Sequence, residues 1–174
     1  MPELSFVAIR SWPPPDGVAQ LLREYRAWLF REASQAGLDV DLREGPDGAH
    51  DEVLAAICIA HPSAGRLDLL TADGQPAALG AWRELRHGVA ELKRLHVRPE
   101  LRGAGLGRRM LRHLLSDARS QGCREVCLDT APFMTAARSL YLAEGFVDGA
   151  AYEGTEVPAE LHARWHFMRR SLEG

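Results

Sequence analysis

Cysteine is scarce in this chain of 174 residues, with only Cys58, Cys123 and Cys127. An odd set with no Cys-x-x-Cys pair supports neither a disulfide framework nor a zinc site, and no metal ligand set is expected. No apolar run approaches the ~18 residues that would cross a bilayer. The opening MPELSFVAIR, with acidic Glu3 and a short apolar patch, fits neither a secretory signal nor a transit peptide. The expected location is therefore the cytoplasm, without a membrane partner. Aromatic residues make up only 7%, and Trp12, Trp28, Trp82 and Trp165 are too scattered to form a stacking platform. An excess of charge is lacking too: 21 Lys and Arg against 24 Asp and Glu leave a net −3, which gives no case for binding nucleic acid. Internal repeats, linkers and low-complexity segments are absent. What remains, 46% hydrophobic and 26% charged, is a soluble globular chain long enough to bury a core without disulfides. It reads as one domain over residues 1–174.

The charges are unevenly placed. Between Glu91 and Arg112 seven bases stand against two acids, a local +5, and the remainder of the chain sums to −8. Between Glu32 and Glu52 seven acids stand against the single base Arg43. The first stretch is a candidate anion site and the second a candidate cation-attracting loop, each to be weighed against a merely solvated face.

Leu4 to Arg10 reads as a strand, and the three prolines Pro13, Pro14 and Pro15 interrupt it before Asp16, a good helix N-cap. Val18, Leu21, Leu22, Tyr25, Trp28 and Leu29 then form one apolar stripe, predicting a helix that ends near Gly37. Asp51 is placed to cap a short helix closed by His61-Pro62. Three strands follow, Arg66 to Thr71, Pro76 to Leu85 and Val89 to Val97, with Asp73-Gly74 and His87-Gly88 as hairpin turns. Leu106, Met110, Leu111, Leu114, Leu115 and Ala118 mark a strong amphipathic helix stopped at Gly122. Cys123 to Asp129 is a strand in which Cys123 and Cys127 share a face. Thr135 to Glu144 is a helix stopped by Gly145, and Phe146 to Val147 and Arg164 to Arg170 are closing strands. The class is mixed α/β.

Between a strand and the best helix lies Arg102-Gly103-Ala104-Gly105-Leu106-Gly107. Three glycines in five residues are costly unless backbone amides must approach something closely. Amides at a helix N-terminus, its positive dipole end and Arg102, Arg108 and Arg109 together suit phosphate. No Gly-Lys-Ser/Thr follows, so this is not a Walker A loop, and the third glycine is one residue early for the dinucleotide fingerprint.

This loop, following ELKRLHV and opening an amphipathic helix, resembles motif A of the GNAT family of acetyl-CoA-dependent N-acetyltransferases. About 40 residues later Leu140 to Phe146, LYLAEGF, resembles the family's helix-to-strand signature. The resemblance covers Pro76 to Phe146 closely. It points to a bacterial subgroup of mostly unassigned acceptors, whose ending is similar to the tail with Tyr152 and Val157-Pro158. It implies a mostly antiparallel sheet of six to seven strands with helices on both faces, splayed between Val89–Val97 and Cys123–Asp129 to admit acetyl-CoA. The pyrophosphate would rest on the amides of Arg102, Gly103, Ala104, Gly105, Leu106 and Gly107, with Arg108 beside them. The pantetheine arm would run along Leu95, His96 and Val97, and the Leu95 amide would polarise the thioester carbonyl. Met134 stands where many members carry an Asn that binds this arm.

Direct attack on a thioester needs a neutral amine, and an alkylamine of pKa about 10 is mostly protonated at neutral pH, so a base is required. Glu91 stands where some members carry a catalytic glutamate, with Glu84 on the neighbouring strand as the alternative. Strand phase does not decide the matter, because neither face of Val89 to Val97 alternates cleanly and a bulge could re-phase it. Tyr141 is the candidate acid for the departing thiolate. His96 could titrate near pH 6.5 as a relay or simply fill the sheet. The resemblance implies an enzyme that acetylates an amine in a ternary complex. The acidic stretch from Glu32 to Glu52 favours a small basic acceptor such as a polyamine, aminoglycoside or cationic amino acid derivative. A non-catalytic acyl-CoA-binding module, and acetylation of a protein or RNA-linked amine, are the alternatives. A homodimer is compatible with the sequence.

Overall fold

The structure, a computed structural model, describes residues 1–38 and 51–174. Seven strands, β1 (Leu4–Ile9), β2 (Gly65–Ala72), β3 (Gln75–Arg86), β4 (Val89–Val97), β5 (Glu125–Thr130), β6 (Val147–Gly149) and β7 (His166–Ser171), form one sheet in the order β1-β2-β3-β4-β5-β7-β6. Every neighbouring pair is antiparallel except β4 and β5. The predicted meander is present, and Asp73 and Gly74, both at positive φ, make the first of its turns.

Among the described residues four α-helices cover the sheet: α1 (Asp16–Gln35), α2 (Glu52–Ile59), α3 (Leu106–Ser120) and α4 (Thr135–Ala143). Asp16 is the first helical residue rather than the cap, a position where its carboxylate suits the positive end of the helix dipole. Asp51 caps α2 as its position suggested, accepting from the Leu54 amide at 3.1 Å. Helix α3 ends where expected, with Gly122 at φ +94 and the Cys123 amide donating to the Ala118 carbonyl.

Two cores result, one on each face. Met110, Leu111, Leu114 and Leu115 of α3 pack with Trp82, Leu92, Val126, Tyr141 and Phe146. On the other face Val18, Leu21 and Leu22 of α1 meet Leu54 and Ile57 of α2 over Leu67 and Leu79. A smaller cluster of Tyr152, Val157 and Phe167 continues that second face beyond β5. The paired cysteines divide between faces. The strand begins only at Glu125, so Cys123 belongs to the turn and packs with α3, while Cys127 packs with Tyr152.

Candidate active site

The bulge left open by the sequence exists, and it builds the site. Leu79 pairs with His96 and Ala81 with Lys93, so β4 carries one extra residue, and Arg94 and Leu95 drop out of the ladder. Arg94 takes φ +56, a left-handed conformation that costs a non-glycine residue about 1 kcal/mol. Its guanidinium is held by Asp51 at 2.7 Å and by Glu156 at 3.2 Å. The bulge re-phases the strand. Glu91, Lys93, Arg94 and His96 contact the α1/α2 face, through Tyr152, Glu156, Asp51 and Tyr25 respectively. Leu92, Leu95 and Val97 join the α3 core.

The sheet also splits, before the bulge is reached. β4 and β5 pair only from Val89 to Glu91 against Glu125 to Cys127. Further along, Leu92–Val97 and Leu128–Thr130 become opposite walls of a cleft of about 640 Å³, which the α3 loop and α4 complete. At one end lies the glycine loop. Gly103 and Gly105 have φ of +83 and +78 and open space where a Cβ would stand, so backbone conformation requires the glycines there. The amides of Gly103 to Arg108 have no hydrogen-bond partner among the described residues. Arg102 donates to the Val97 carbonyl at 3.1 Å and lies over the Trp28 ring, with no carboxylate partner among the described residues, whereas Arg108 is tied to Glu144 at 3.0 Å. Free amides beside an uncompensated guanidinium fit a phosphate group.

Tyr141 is buried on α4 and lines the cleft, and burial pushes its hydroxyl well above the ordinary phenol range. It is therefore protonated at every physiological pH. His96 also lines the cleft. Burial first, then the charges of Arg102 and Arg98, pull its imidazole down to about 4, so it is neutral near pH 7 instead of titrating near 6.5. Met134 stands at the start of α4 on the lining. On the β5 wall Thr130 brings a buried hydroxyl that has no partner among the described residues.

The candidate bases are placed differently from each other. Glu84 sits by the β3–β4 turn, accepting from the Gly88 amide, and does not line the cleft. Glu91 is fully buried and also absent from the lining, so it cannot take a proton directly from a molecule in the cleft. Its oxygens are engaged by Arg83 Nε at 2.6 Å, Lys93 Nζ at 3.3 Å and the Tyr152 hydroxyl at 2.9 Å. Among the described residues the carboxylate that does line the cleft is Asp129 of β5, which sequence reasoning passed over because no motif marks it. Of the acidic stretch, Asp39, Asp41, Glu44 and Asp47 lie outside the described residues, and Asp51 is buried and committed to Arg94 and the α2 cap.

All three cysteines are buried and none lines the cleft. Burial pushes the thiols of Cys58 and Cys127 up to about 11 and about 12, and that of Cys123 up as well. None is an activated nucleophile. Among the described residues there is also no cluster fit to hold a metal ion and no helix long and apolar enough to cross a membrane.

Two strands splayed apart beside a glycine loop with free amides are the arrangement the resemblance implied. The profile of the acetyltransferase (GNAT) family matches residues 21–146. The chain belongs to that family. Among curated proteins it is similar to an IAA acetyltransferase of Azospirillum brasilense, 29% identical over 142 residues that span 80% of this chain and 82% of that protein. Its fold is similar to that of a GNAT-family acetyltransferase from Staphylococcus aureus, with a TM-score of 0.72 at 15% identity, covering 98% of this chain and 100% of the other. The PaiA N-acetyltransferase of Thermoplasma acidophilum, solved in complex with coenzyme A, is alike to the same degree, with a TM-score of 0.72 at 16% identity over 97% and 99% of the two chains. The protein is an acyltransferase that uses acetyl-CoA.

Proposed function

We propose that residues 1–174 form one cytoplasmic N-acetyltransferase domain that passes the acetyl group directly to a small basic amine bound with acetyl-CoA in a ternary complex. The observation that carries this reading is the split between β4 and β5, with the free amides of the glycine loop at one end and Tyr141 and Asp129 on its walls. The loop amides and Arg102 would hold the pyrophosphate, and the strand from Leu95 to Val97 the pantetheine arm. The Leu95 amide, freed from the ladder register, would polarise the thioester carbonyl. Tyr141, kept protonated by burial, would protonate the departing thiolate. The absence of an activated cysteine favours direct attack over an acetyl-cysteine intermediate.

The lining also narrows the acceptor. Of the cations on the lining, Lys93, Arg94 and Arg108 are paired with carboxylates and Arg102 would serve the pyrophosphate, so Asp129 is the carboxylate left to an acceptor among the described residues. It offers a seat to a single ammonium, whereas a polyamine carries several. Trp28 and Phe133 meet edge to face at 6.0 Å across the cleft, with Tyr25 beside Trp28. This favours an amine with one cationic centre and a flat apolar body. The test is acetyl-CoA-dependent thiol release over a panel of primary amines: phenylethylamine, tyramine, spermidine, lysine methyl ester and a peptide N-terminus. Release with the aromatic monoamines ahead of spermidine is expected. Acetyl-CoA binding without release by any amine would favour a binding module.

A further inference from the structure

Resting on the acetyl-transfer reading, the route of the ammonium proton can be traced at Tyr152. This residue lies between β6 and β7, and its hydroxyl is 2.9 Å from Glu91 Oε1 and 3.3 Å from Asp129 Oδ2. A phenol carries one proton, and ionised carboxylates only accept, so one of the two contacts is left without a hydrogen. The shorter contact assigns the Tyr152 proton to Glu91, whose charge Arg83 and Lys93 also offset. Asp129 Oδ2 then faces the lone pairs of the phenol oxygen. Its other oxygen accepts from Trp165 Nε1 at 3.0 Å, and no cation among the described residues pairs with it.

The groups around the pair come from every neighbouring element. Asp129 is faced by Tyr25 of α1, Tyr141 of α4 and Tyr152, and burial raises all three phenols, so none competes for its charge. Glu91 is faced by Arg83, Lys93 and the Cys127 thiol, with Glu156 behind Lys93 and tied to Arg94. Asp129 is thus the carboxylate with a vacant acceptor site on the cleft. Once it takes a proton, its O–H completes the contact to Tyr152.

We propose that Asp129, Tyr152 and Glu91 form a proton relay that deprotonates the acceptor ammonium, Asp129 being the member that touches it. An N–H proton passes to Asp129; the Asp129 O–H gives its proton to Tyr152 Oη as the Tyr152 proton moves to Glu91 Oε1. The nitrogen pair then adds to the thioester carbonyl carbon and the C–S bond breaks. Sulfur leaves with the bonding pair and takes the Tyr141 proton, and the second nitrogen proton, released as the amide forms, restores Tyr141. After product departs the relay reverses and returns one proton to solvent through the cleft.

The test compares phenylethylamine with its β,β-difluoro analogue, whose weaker basicity leaves it largely neutral near pH 7, so that it needs no base. For Asp129→Asn and Tyr152→Phe, kcat/KM for phenylethylamine should fall about 100-fold to 10,000-fold, and most of the loss should be recovered with the difluoro amine. Glu91→Gln should show the same selectivity. Tyr152→Phe keeps the ring that packs on Phe167, so it carries the comparison if Asp129→Asn does not fold. Variants that retain the acetyl-CoA thermal shift yet slow both amines equally would overturn the relay. So would an unchanged pH-rate profile in Asp129→Asn. Wild-type enzyme inert toward the whole amine panel would instead overturn the acetyl-transfer reading itself.

Discussion

Tyr141 and His96 show how burial sets the chemistry of single residues in this cleft. A buried phenol resists ionisation and remains a proton donor, so Tyr141→Phe removes only that proton. Turnover should fall about 10-fold to 10,000-fold with acetyl-CoA affinity unchanged, measured by steady-state kinetics beside calorimetric binding. His96 is the opposite case, a base that burial keeps neutral. The unfolded imidazole binds a proton below about 6.5, the folded one only below about 4. Between those values the unfolded chain holds more protons, so stability falls as the pH drops through this window, by at most ~1.4 kcal/mol per pH unit. Denaturant titrations at pH 7, 6 and 5 should show that slope, and His96→Gln should flatten it. The sequence marked both residues, but their proton affinities follow from burial by α1 and α4, which spacing alone does not report.

At the scale of elements, the decisive feature is the bulge in β4. The broken alternation from Glu91 to His96 left a bulge open, and the sequence motifs located the glycine loop that follows. Which residue bulges was not legible, because Arg94 is a poor choice for φ +56 on local grounds. Long-range partners decide it: Asp51 at the start of α2 and Glu156 in the segment before β7. Arg94→Ala breaks a largely buried ion cluster and should destabilise the fold by roughly 3 kcal/mol. Arg94→Gly loses the same ion pairs but not the backbone preference, so it should be more stable than Arg94→Ala by about 1 kcal/mol. Urea unfolding of the pair checks the sign, and an alanine variant as stable as the glycine variant would contradict a left-handed bulge. The glycine loop makes a parallel case, since Gly105→Val forces a β-branched residue to φ +78. It and Arg102→Ala should both weaken acetyl-CoA binding in a thermal-shift titration.

For the molecule as a whole, the order of elements and both motifs were readable because they are local in the chain: hairpin dipeptides, an apolar stripe, glycines at fixed offsets. The proposed acceptor side was not, because Tyr25, Glu91, Asp129 and Tyr152 come from α1, β4, β5 and the segment between β6 and β7, which only the tertiary fold brings together. Of the acidic stretch from Glu32 to Glu52, Asp51 is committed to Arg94, while Asp39, Asp41, Glu44 and Asp47 lie outside the described residues. Acetyl-CoA should stabilise this fold, since the loop and the cleft exist only in the native state. At 100 times Kd the gain is about 2.7 kcal/mol, or roughly 5–10 °C in Tm. The central claim is direct transfer in a ternary complex, and rapid mixing with intact-mass detection tests it most directly. Enzyme mixed with acetyl-CoA alone should remain unmodified, and adding the amine should release coenzyme A thiol and acetylated amine in equal amounts. An acetylated enzyme formed before the amine is added, or thiol released without acetylated amine, would contradict the account.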